Sequence, residues 1–271
     1  VFLLVRSALL GVLRHHEQAE QRKVYRRSLA EQVNFPHATP RPYQDEAADS
    51  VRHALETRNN LLLSAPTGAG KTAAVLTALV RFALENDLRV FWAGGKGTHQ
   101  RIVAETLPLI LPKDAPLSCL FLMAKEKLCP NETFVCDEHF CRYLDEFSRK
   151  LDRLGAELLP QKQIILPDDI LHMAHEHELC PFELSLHLAS LADFVAGDYN
   201  YVFDPAVSLR RLLSPKERKN WILVIDEAHN LYPRARSSYS ASIGIHEIDN
   251  AGSIVARHDP ALGNNFPVLA Q

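Results

Sequence analysis

The sequence has no apolar run long enough to cross a membrane as a helix. Its most apolar stretch, residues 1–13, contains Arg6, whereas a spanning helix needs about 20 apolar residues. A charged segment follows this stretch, in place of the small residues that end a signal peptide. We therefore expect a cytoplasmic protein without a membrane partner.

Cysteine is scarce, and neither sign of charge is in large excess. Five cysteines in 271 residues are too few for a disulfide scaffold, and an odd number cannot pair completely. The formal net charge of −3 excludes a globally basic nucleic-acid binder, although a local basic surface stays possible. With 46% hydrophobic and 23% charged residues, the chain has the composition of a globular protein with a packed core.

Short apolar runs alternate with helical segments through much of the chain. The apolar runs predict strands over residues 60–64, 88–92, 118–123 and 221–225. Strands separated by helices form parallel sheets, so we predict an α/β fold with helices on both faces of the sheet. Residues 125–180 interrupt the alternation, contain four of the five cysteines and are interpreted as a small, mostly helical insertion.

A glycine-rich turn lies between the first predicted strand and the next helix. Its residues are Ala65, Pro66, Thr67, Gly68, Ala69, Gly70, Lys71 and Thr72. This is the pattern of a phosphate-binding P-loop, except that alanine stands at the first position. The backbone N–H groups and the helix N-terminus favour an anionic phosphate. We expect Lys71 to reach the β- and γ-phosphates of ATP and the Thr72 hydroxyl to bind Mg²⁺.

The predicted strand 221–225 ends at two adjacent carboxylates, Asp226 and Glu227. Open α/β sheets bind ligands at the carboxyl ends of their strands. On its own, such a pair is more typical of a solvated turn, but the P-loop favours a nucleotide site. Asp226 would then hold Mg²⁺ through water, and Glu227 would polarise the attacking water. His229 would couple the site to a neighbouring domain.

Four cysteines are candidate metal ligands: Cys129, Cys136, Cys141 and Cys180, with gaps of 6, 4 and 38 residues. A structural zinc site usually contains two closely spaced pairs, and only the middle gap is short enough. The longer gaps suit an iron–sulfur cluster, and Pro130 and Pro181 each follow a cysteine, as proline does beside cluster ligands. Spacing alone leaves zinc and iron–sulfur equally open, with four unligated thiols in the interior as a third possibility. Cys119, inside an apolar run, is interpreted as a buried small hydrophobic residue.

Together these motifs resemble the superfamily 2 helicases and, more narrowly, the XPD/DinG family of iron–sulfur DNA helicases. The residues that carry the resemblance are the P-loop, Ala124-Lys-Glu-Lys-Leu-Cys129-Pro130, Cys136, Cys141, Cys180-Pro-Phe-Glu-Leu-Ser185, Gly197-Asp-Tyr-Asn-Tyr-Val-Phe-Asp204 and Asp226-Glu-Ala-His229. They occur in the family's order and cover about residues 38–240. The resemblance implies a RecA-like P-loop NTPase domain, interrupted by a helical domain whose four cysteines hold a [4Fe–4S] cluster.

The resemblance also implies a domain order and an activity. The expected segments are an N-terminal helical extension (1–37), the first part of motor domain 1 (38–118), the cluster domain (119–185), the second part of motor domain 1 (186–240) and the start of a further insertion (241–271). The implied activity is 5′-to-3′ translocation on single-stranded DNA, driven by ATP hydrolysis, in a monomer. Because the chain begins with valine and stops before a second motor domain, we expect an N-terminal fragment that is inactive alone.

Further contacts are implied by position in the family's order. Gln44 resembles the family's adenine-binding glutamine, although it could instead begin a helix after a proline. Thr98 and Gln100 correspond to a motif that touches the DNA backbone, where hydroxyl and amide groups bind phosphate without reading sequence. Tyr199 and Tyr201 either stack on unpaired bases or pack in the interior.

Two other functions stay open from the sequence. The first is a zinc-stabilised nucleic-acid-binding module in which the P-loop is only a structural turn. The second is an RNA translocase, because the nucleotide-binding motifs do not distinguish DNA from RNA.

Overall fold

The structure is a computed structural model that describes residues 20–37, 39, 41–66, 69–95, 97–113, 115–131, 136–155, 162–205, 207–209, 212–214, 216–240 and 244–259. The chain divides into two compact units, the first ending at Ala228 and the second starting at His229. The phosphate loop, Asp226 and the four candidate cysteine ligands all belong to the first unit.

A five-stranded parallel sheet forms the centre of the first unit. Its strands are β1 (Arg89–Gly94), β2 (Cys119–Phe121), β3 (Ile164–Ile165), β4 (Phe194–Asp198) and β5 (Trp221–Ile225). The strand order is β3-β2-β4-β1-β5, and every pairing is parallel. Parallel neighbours need long crossovers, which helices supply here. The predicted α/β class with a parallel sheet is therefore confirmed.

The helices of the first unit alternate with these strands. They are α1 (20–30), α2 (Gln44–Glu56), α3 (Lys71–Glu85), α4 (Gly97–Ile110), α5 (Lys125–Leu128), α6 (Phe147–Leu154), α7 (Pro167–Glu176), α8 (Pro181–Leu191) and α9 (Asn200–Phe203). Short 3₁₀ helices cover Glu217–Asn220 and Ala228–Asn230. None of the helices in the described part of the chain combines the length and apolarity that crossing a bilayer requires.

The core lies between the sheet and helices α3 and α4. Leu76 of α3 and Leu107 of α4 are fully buried there, beside Val90 of β1. The rings of Trp92 and Phe194 stack across β1 and β4, with their centroids 6.5 Å apart. Burying such side chains contributes about 1.5–3 kcal/mol each, so this layer holds α3, and with it the P-loop, against the sheet.

Helix α1 also belongs to this core. Its residues Leu29 and Ala30 are buried within the same cluster. The buried Arg26 forms ion pairs with Asp87, at 3.0 Å, and with Asp193, and it donates to the Leu88 carbonyl at 2.7 Å. Removing one partner of a buried ion pair typically costs about 3–5 kcal/mol. The described part of the predicted N-terminal extension is thus anchored to the sheet.

The predicted strand over residues 60–64 is wrong. Residues 59–66 are neither helix nor strand, and the side chains of Leu61 and Leu62 are 44% and 89% exposed. An apolar run becomes a strand only where a partner offers hydrogen bonds. Among the described residues β5 pairs with β1 alone and forms an edge of the sheet, so the segment has no partner strand.

The cysteine-rich insertion is interleaved with the sheet. Strands β2 and β3 both lie within residues 119–185, yet they pair with each other, and β2 also pairs with β4. The chain leaves the sheet after β2, forms α5 and α6, and returns at β3. The predicted cluster domain therefore shares two strands with the motor sheet, while its exact boundaries stay a prediction.

The second unit, taken by itself, contains two helices, α10 (Leu231–Ser238) and α11 (Ile245–His258). Among its described residues, Ile248 is buried, whereas Tyr232 and Tyr239 are 77% and 74% exposed.

Candidate nucleotide and metal sites

The phosphate loop lies at the carboxyl edge of the sheet. Only three residues separate the end of α3 at Glu85 from the start of β1 at Arg89. Helix α3 therefore runs back along β1, and its first residue, Lys71, lies near the end where β1 and β5 finish. This is the edge at which parallel α/β sheets bind ligands.

The Lys71 ammonium is held within the curve of the loop. Its Nζ donates to the carbonyl oxygens of Ala65, at 2.5 Å, and Pro66, at 3.3 Å. These two residues thus contact the lysine through their carbonyl groups. Thr67 and Gly68 lie outside the described residues. Ala69 donates its N–H to the Pro66 carbonyl at 3.3 Å, which narrows the turn.

The Gln44 side chain contacts the phosphate loop at Gly70, just before α3. Its side chain is 3% exposed; Oε1 accepts from the Arg41 N–H at 2.6 Å, and Nε2 donates to the Gly70 carbonyl at 3.1 Å. Gly70 has φ +77°, and a Cβ there would come within 2.1 Å of the Gln44 Nε2. Glycine is therefore required at position 70, because its φ is positive and because the Gln44 side chain leaves no room for a Cβ. The structure places Gln44 against the phosphate loop, and its contact with adenine stays a prediction.

The turn after β5 is fixed through its backbone. The Asp226 N–H donates to the Ala93 carbonyl at 2.8 Å, which extends the β1–β5 pairing by one residue. Glu227 has φ +51°, in the left-handed region that is strained for residues with a side chain. The Tyr199 hydroxyl, on a side chain only 1% exposed, donates to the carbonyls of Asp226 and, at 3.1 Å, Glu227.

The sequence analysis did not assign this positioning contact to Tyr199. The sequence signal that could have indicated it was the motif Gly197–Asp204, which begins in the last two residues of β4 and continues beyond the same edge of the sheet. Gly95 makes room for the ring, because a Cβ at that position would come within 2.8 Å of Tyr199 Cε2. Tyr201 is also buried, and its hydroxyl donates to the Met123 carbonyl at 2.9 Å. Burial raises the pKa of Tyr201 to about 12. Interior packing, rather than base stacking, is therefore the interpretation that the structure supports.

A histidine that the sequence analysis did not select faces the two carboxylates. His99, in the first turn of α4, has its Nδ1 3.6 Å from Oδ2 of Asp226. One ligand atom each from His99, Asp226 and Glu227 lie within 4.8 Å of one another, and all three residues are half-buried. Paired carboxylates at a sheet edge are suitable ligands for a divalent cation such as Mg²⁺.

The other residues predicted to contact Mg²⁺, DNA or a neighbouring domain lie in α3, in α4 and after β5. Thr72 follows Lys71 in the first turn of α3 and is half-buried, as is Gln100 in α4. The Thr98 side chain lies outside the described part of the structure. His229 is exposed and starts the second unit. Their assigned contacts stay predictions.

The four candidate cysteine ligands line one pocket that is partly open to solvent. They come from the end of α5, the turns before α6 and the N-terminus of α8. All are free thiols, and the Asn131 side-chain amide donates to Cys141 Sγ at 3.4 Å. Tyr143 and Phe182 form part of the wall. Four thiols around one cavity are the donor set of a thiolate-bound metal centre.

A buried thiol and a basic side chain lie together at this cavity. Burial raises the pKa of the Cys180 thiol, so its thiolate requires compensating positive charge. A hydrogen bond with Cys136 raises the pKa of Lys125, whose ammonium lies 5.6 Å from the centroid of the Phe182 ring. Cys119 lies instead in β2, 2% exposed, where burial strongly raises its thiol pKa. Its predicted role as a buried hydrophobic residue is confirmed.

Comparison with known proteins gives matches along most of the chain. The sequence profile of the DEAD_2 family matches residues 107–248, and that of the type III restriction enzyme res subunit matches residues 37–92. The general transcription and DNA repair factor IIH helicase subunit XPD of Dictyostelium discoideum is 22% identical, over 83% of this chain and 32% of its own length. The regulator of telomere elongation helicase 1 homolog of Caenorhabditis elegans is 23% identical, over 78% of this chain and 25% of its length. The chain thus spans a quarter to a third of these curated relatives.

Two solved structures share the fold. One, an XPD helicase, superposes with a TM-score of 0.57 over 80% of this chain and 37% of its own, at 21% identity. The other, a truncated XPD, has a TM-score of 0.53 over 76% of this chain and 58% of its own, at 22% identity.

Proposed function

The chain belongs to the DEAD_2 family of XPD-like helicases, whose profile covers 142 of its 271 residues, and we propose that it is the ATP-binding motor part of a DNA helicase. The observation that carries this proposal is the placement of Lys71 and the Asp226–Glu227 pair at one edge of the parallel sheet. Each relative named above is a helicase by its printed name, and one is a subunit of a transcription and DNA repair factor.

We expect each residue at this edge of the sheet to have a different role in phosphoryl transfer. Lys71 would leave the loop carbonyls and neutralise the β- and γ-phosphates of ATP. Thr72 and Asp226 would hold Mg²⁺, which supplies charge neutralisation at the phosphate oxygens when bound. Glu227 would orient the attacking water. The backbone contacts from Ala93 and Tyr199 fix both carboxylate residues before ATP arrives, so little reorganisation is needed.

For the complete protein, we propose 5′-to-3′ translocation on single-stranded DNA, with this chain as an N-terminal fragment of a monomer. ATP binding would close this domain onto a second motor domain, with His229 coupling the nucleotide site to it. Gln100 and Thr98 would contact the DNA backbone, and Gln44 would contact adenine.

We further propose that Cys129, Cys136, Cys141 and Cys180 hold a [4Fe–4S] cluster. The shared cavity supports a four-thiolate site, and the resemblance to the XPD/DinG family favours a cluster over zinc. The cluster would fold the segment around it, because metal-binding energy becomes folding energy in such small segments. Iron and zinc contents, measured after anaerobic purification, distinguish an iron–sulfur cluster from a zinc site. We expect about four irons per chain. One zinc per chain would overturn the assignment.

The nucleotide assignment is tested by substitution in the full-length protein. Lys71→Ala should lower DNA-stimulated ATP hydrolysis at least about a hundredfold, because a cationic contact in the transition state is lost. Glu227→Gln should still bind ATP and Mg²⁺ but not hydrolyse ATP. The matched control is Lys113→Ala, on an exposed turn, which should hydrolyse ATP normally.

Two results would contradict the proposal. Near-normal kcat in Lys71→Ala would leave the P-loop as a structural turn, as in a zinc-stabilised binding module. Stimulation of ATP hydrolysis by single-stranded RNA, but not by single-stranded DNA, would identify an RNA translocase.

A further inference from the structure

Helix α10 exposes two tyrosines and an arginine on one side. Tyr232 and Tyr239 are 77% and 74% exposed, and all of residues 232–240 are exposed. Tyr239 directly follows the helix, and its N–H still donates to the Ala235 carbonyl at 3.1 Å, so it continues the last turn. Residues three and four positions apart lie on the same side of a helix, which places Arg236 between the two rings. Tyr232, Arg236 and Tyr239 are called the α10 face below.

The polar groups of the α10 face have no partners in the part of the chain that the structure describes. Neither tyrosine hydroxyl forms a hydrogen bond there, and the Arg236 guanidinium has no carboxylate beside it. The helix itself contains two arginines and no acidic residue. The positive charge of Arg236 is therefore available to a partner from outside these residues.

The spacing of the α10 face suits a single-stranded nucleic acid. At 1.5 Å per residue, the two tyrosines are attached about 10.5 Å apart along the helix axis. Nucleotides of a stacked strand are about 3.4 Å apart, so the two rings span about three nucleotides.

The chemistry of the α10 face also suits such a strand. A nucleic acid offers a flat ring and a negative charge in each unit, and the α10 face presents two flat rings and a positive charge. Aromatic side chains stack on unpaired bases of any sequence, while arginine binds the phosphate oxygens between them. The face therefore fits a single strand, whose bases are free to leave their own stack.

We propose that Tyr232, Arg236 and Tyr239 form a surface that binds single-stranded DNA, with a base stacked on each tyrosine and a phosphate bound by Arg236. The surface belongs to the second unit, whereas the phosphate loop and Asp226 belong to the first. It goes beyond the motor assignment and rests on the proposed function only in the choice of DNA over RNA.

The test is the binding of a fluorescently labelled oligothymidine to the nucleotide-free chain, followed by fluorescence anisotropy. Tyr232→Ala and Tyr239→Ala should each weaken binding at least about fivefold, because each loses the stacking of one base. Tyr232→Phe and Tyr239→Phe keep the ring and should bind DNA as the unmodified chain does.

A salt titration tests the role of Arg236. Each phosphate contact to a single strand contributes about 0.7 to the slope of log affinity against log salt concentration. Arg236→Ala should therefore reduce this slope by about 0.7. Arg257→Ala is the matched control, because Arg257 is exposed on α11, and it should leave the slope unchanged.

Tyr25→Ala is the matched control for the rings, because Tyr25 is 47% exposed on α1. It should bind oligothymidine with unchanged affinity. Equal weakening in Tyr25→Ala, or no weakening in Tyr232→Ala and Tyr239→Ala, would overturn the proposal. So would alanine variants that change the oligomeric state in light scattering but keep the DNA affinity, since the α10 face would then contact protein.

Lys71→Ala separates this proposal from the nucleotide site, because DNA binding is measured without ATP and should be unchanged in this variant. DNA binding through the α10 face in a chain that does not bind ATP would support the surface and contradict the proposed function. ATP binding in a chain whose DNA affinity ignores the α10 variants would overturn the surface alone. Binding of oligouridine but not of oligothymidine would overturn the assignment to DNA.

Discussion

At the scale of single residues, the turn that contains Asp226 and Glu227 is held by a buried tyrosine from another part of the chain, Tyr199. Glu227 adopts a left-handed backbone conformation, which costs of order 1–3 kcal/mol for a residue with a side chain. The Tyr199 hydroxyl offsets part of this cost by donating to the two carbonyls of the turn. Tyr199 thus holds the backbone of Asp226 and Glu227, and we expect it to position these two residues.

Tyr199→Phe keeps the ring and removes these hydrogen bonds. We expect a loss of about 1 kcal/mol of unfolding free energy, together with a lower kcat of ATP hydrolysis at unchanged ATP affinity. Chemical denaturation and steady-state kinetics on the full-length protein measure the two effects. Tyr201→Phe is the matched control, because it loses one comparable bond, to Met123, away from the turn. An equal fall in kcat in both variants would leave Tyr199 with a structural role only.

At the scale of secondary-structure elements, the apolar run at 60–64 shows that composition does not by itself make a strand. The run Leu61-Leu62-Leu63 has the composition of a buried strand, yet Leu62 is 89% exposed. A strand needs a neighbour with free backbone groups at the right place, and β5 pairs only with β1 in the described part of the sheet. The same length of apolar chain at 221–225 does form a strand, because β1 lies beside it.

Two leucine-to-alanine substitutions, one at an exposed and one at a buried position, test whether residues 60–64 lie outside the sheet. Leu62→Ala should change the free energy of unfolding by less than about 0.5 kcal/mol, because the side chain is already in water. Leu76→Ala, in the fully buried face of α3, should cost about 2–5 kcal/mol because it leaves a cavity. Urea denaturation of both variants checks the prediction. A cost above 2 kcal/mol for Leu62→Ala would show that residues 60–64 pair in the sheet.

At the scale of the whole molecule, one edge of the sheet carries two separate sites. The cysteine cavity begins just after β2, and the carboxylates just follow β5. In the order β3-β2-β4-β1-β5, these strands are three spacings apart, or about 14 Å. We therefore expect the proposed nucleotide site not to depend on direct contact with the cysteines.

Cys180→Ser should accordingly release the metal centre and leave ATP binding unchanged. Iron content should fall to near zero, and amide exchange in α5 and α6 should accelerate while β1 and β5 stay protected. Cys119→Ser is the control, since this thiol lies in β2 and should cost packing energy without loss of iron. Iron analysis and hydrogen exchange measure both effects. Loss of iron in Cys119→Ser would show that a different set of four cysteines binds the metal.

The sequence by itself determined those features that depend on neighbours along the chain. The glycine-rich turn before Lys71, the carboxylates that end β5 and the alternation of apolar and helical segments are local patterns. They predicted the α/β class and most of the strands. The four cysteines were also selected by spacing, although spacing did not choose between iron and zinc.

Only the tertiary structure decided which distant residues meet. The pairing of β1 with β5 places His99 beside Asp226, and the pairing of β1 with β4 brings Tyr199 to the same turn. Likewise, the lack of a partner in the described sheet leaves residues 60–64 outside it. Strand order and partner availability arise from packing across the whole unit, and local periodicity carries no information about them.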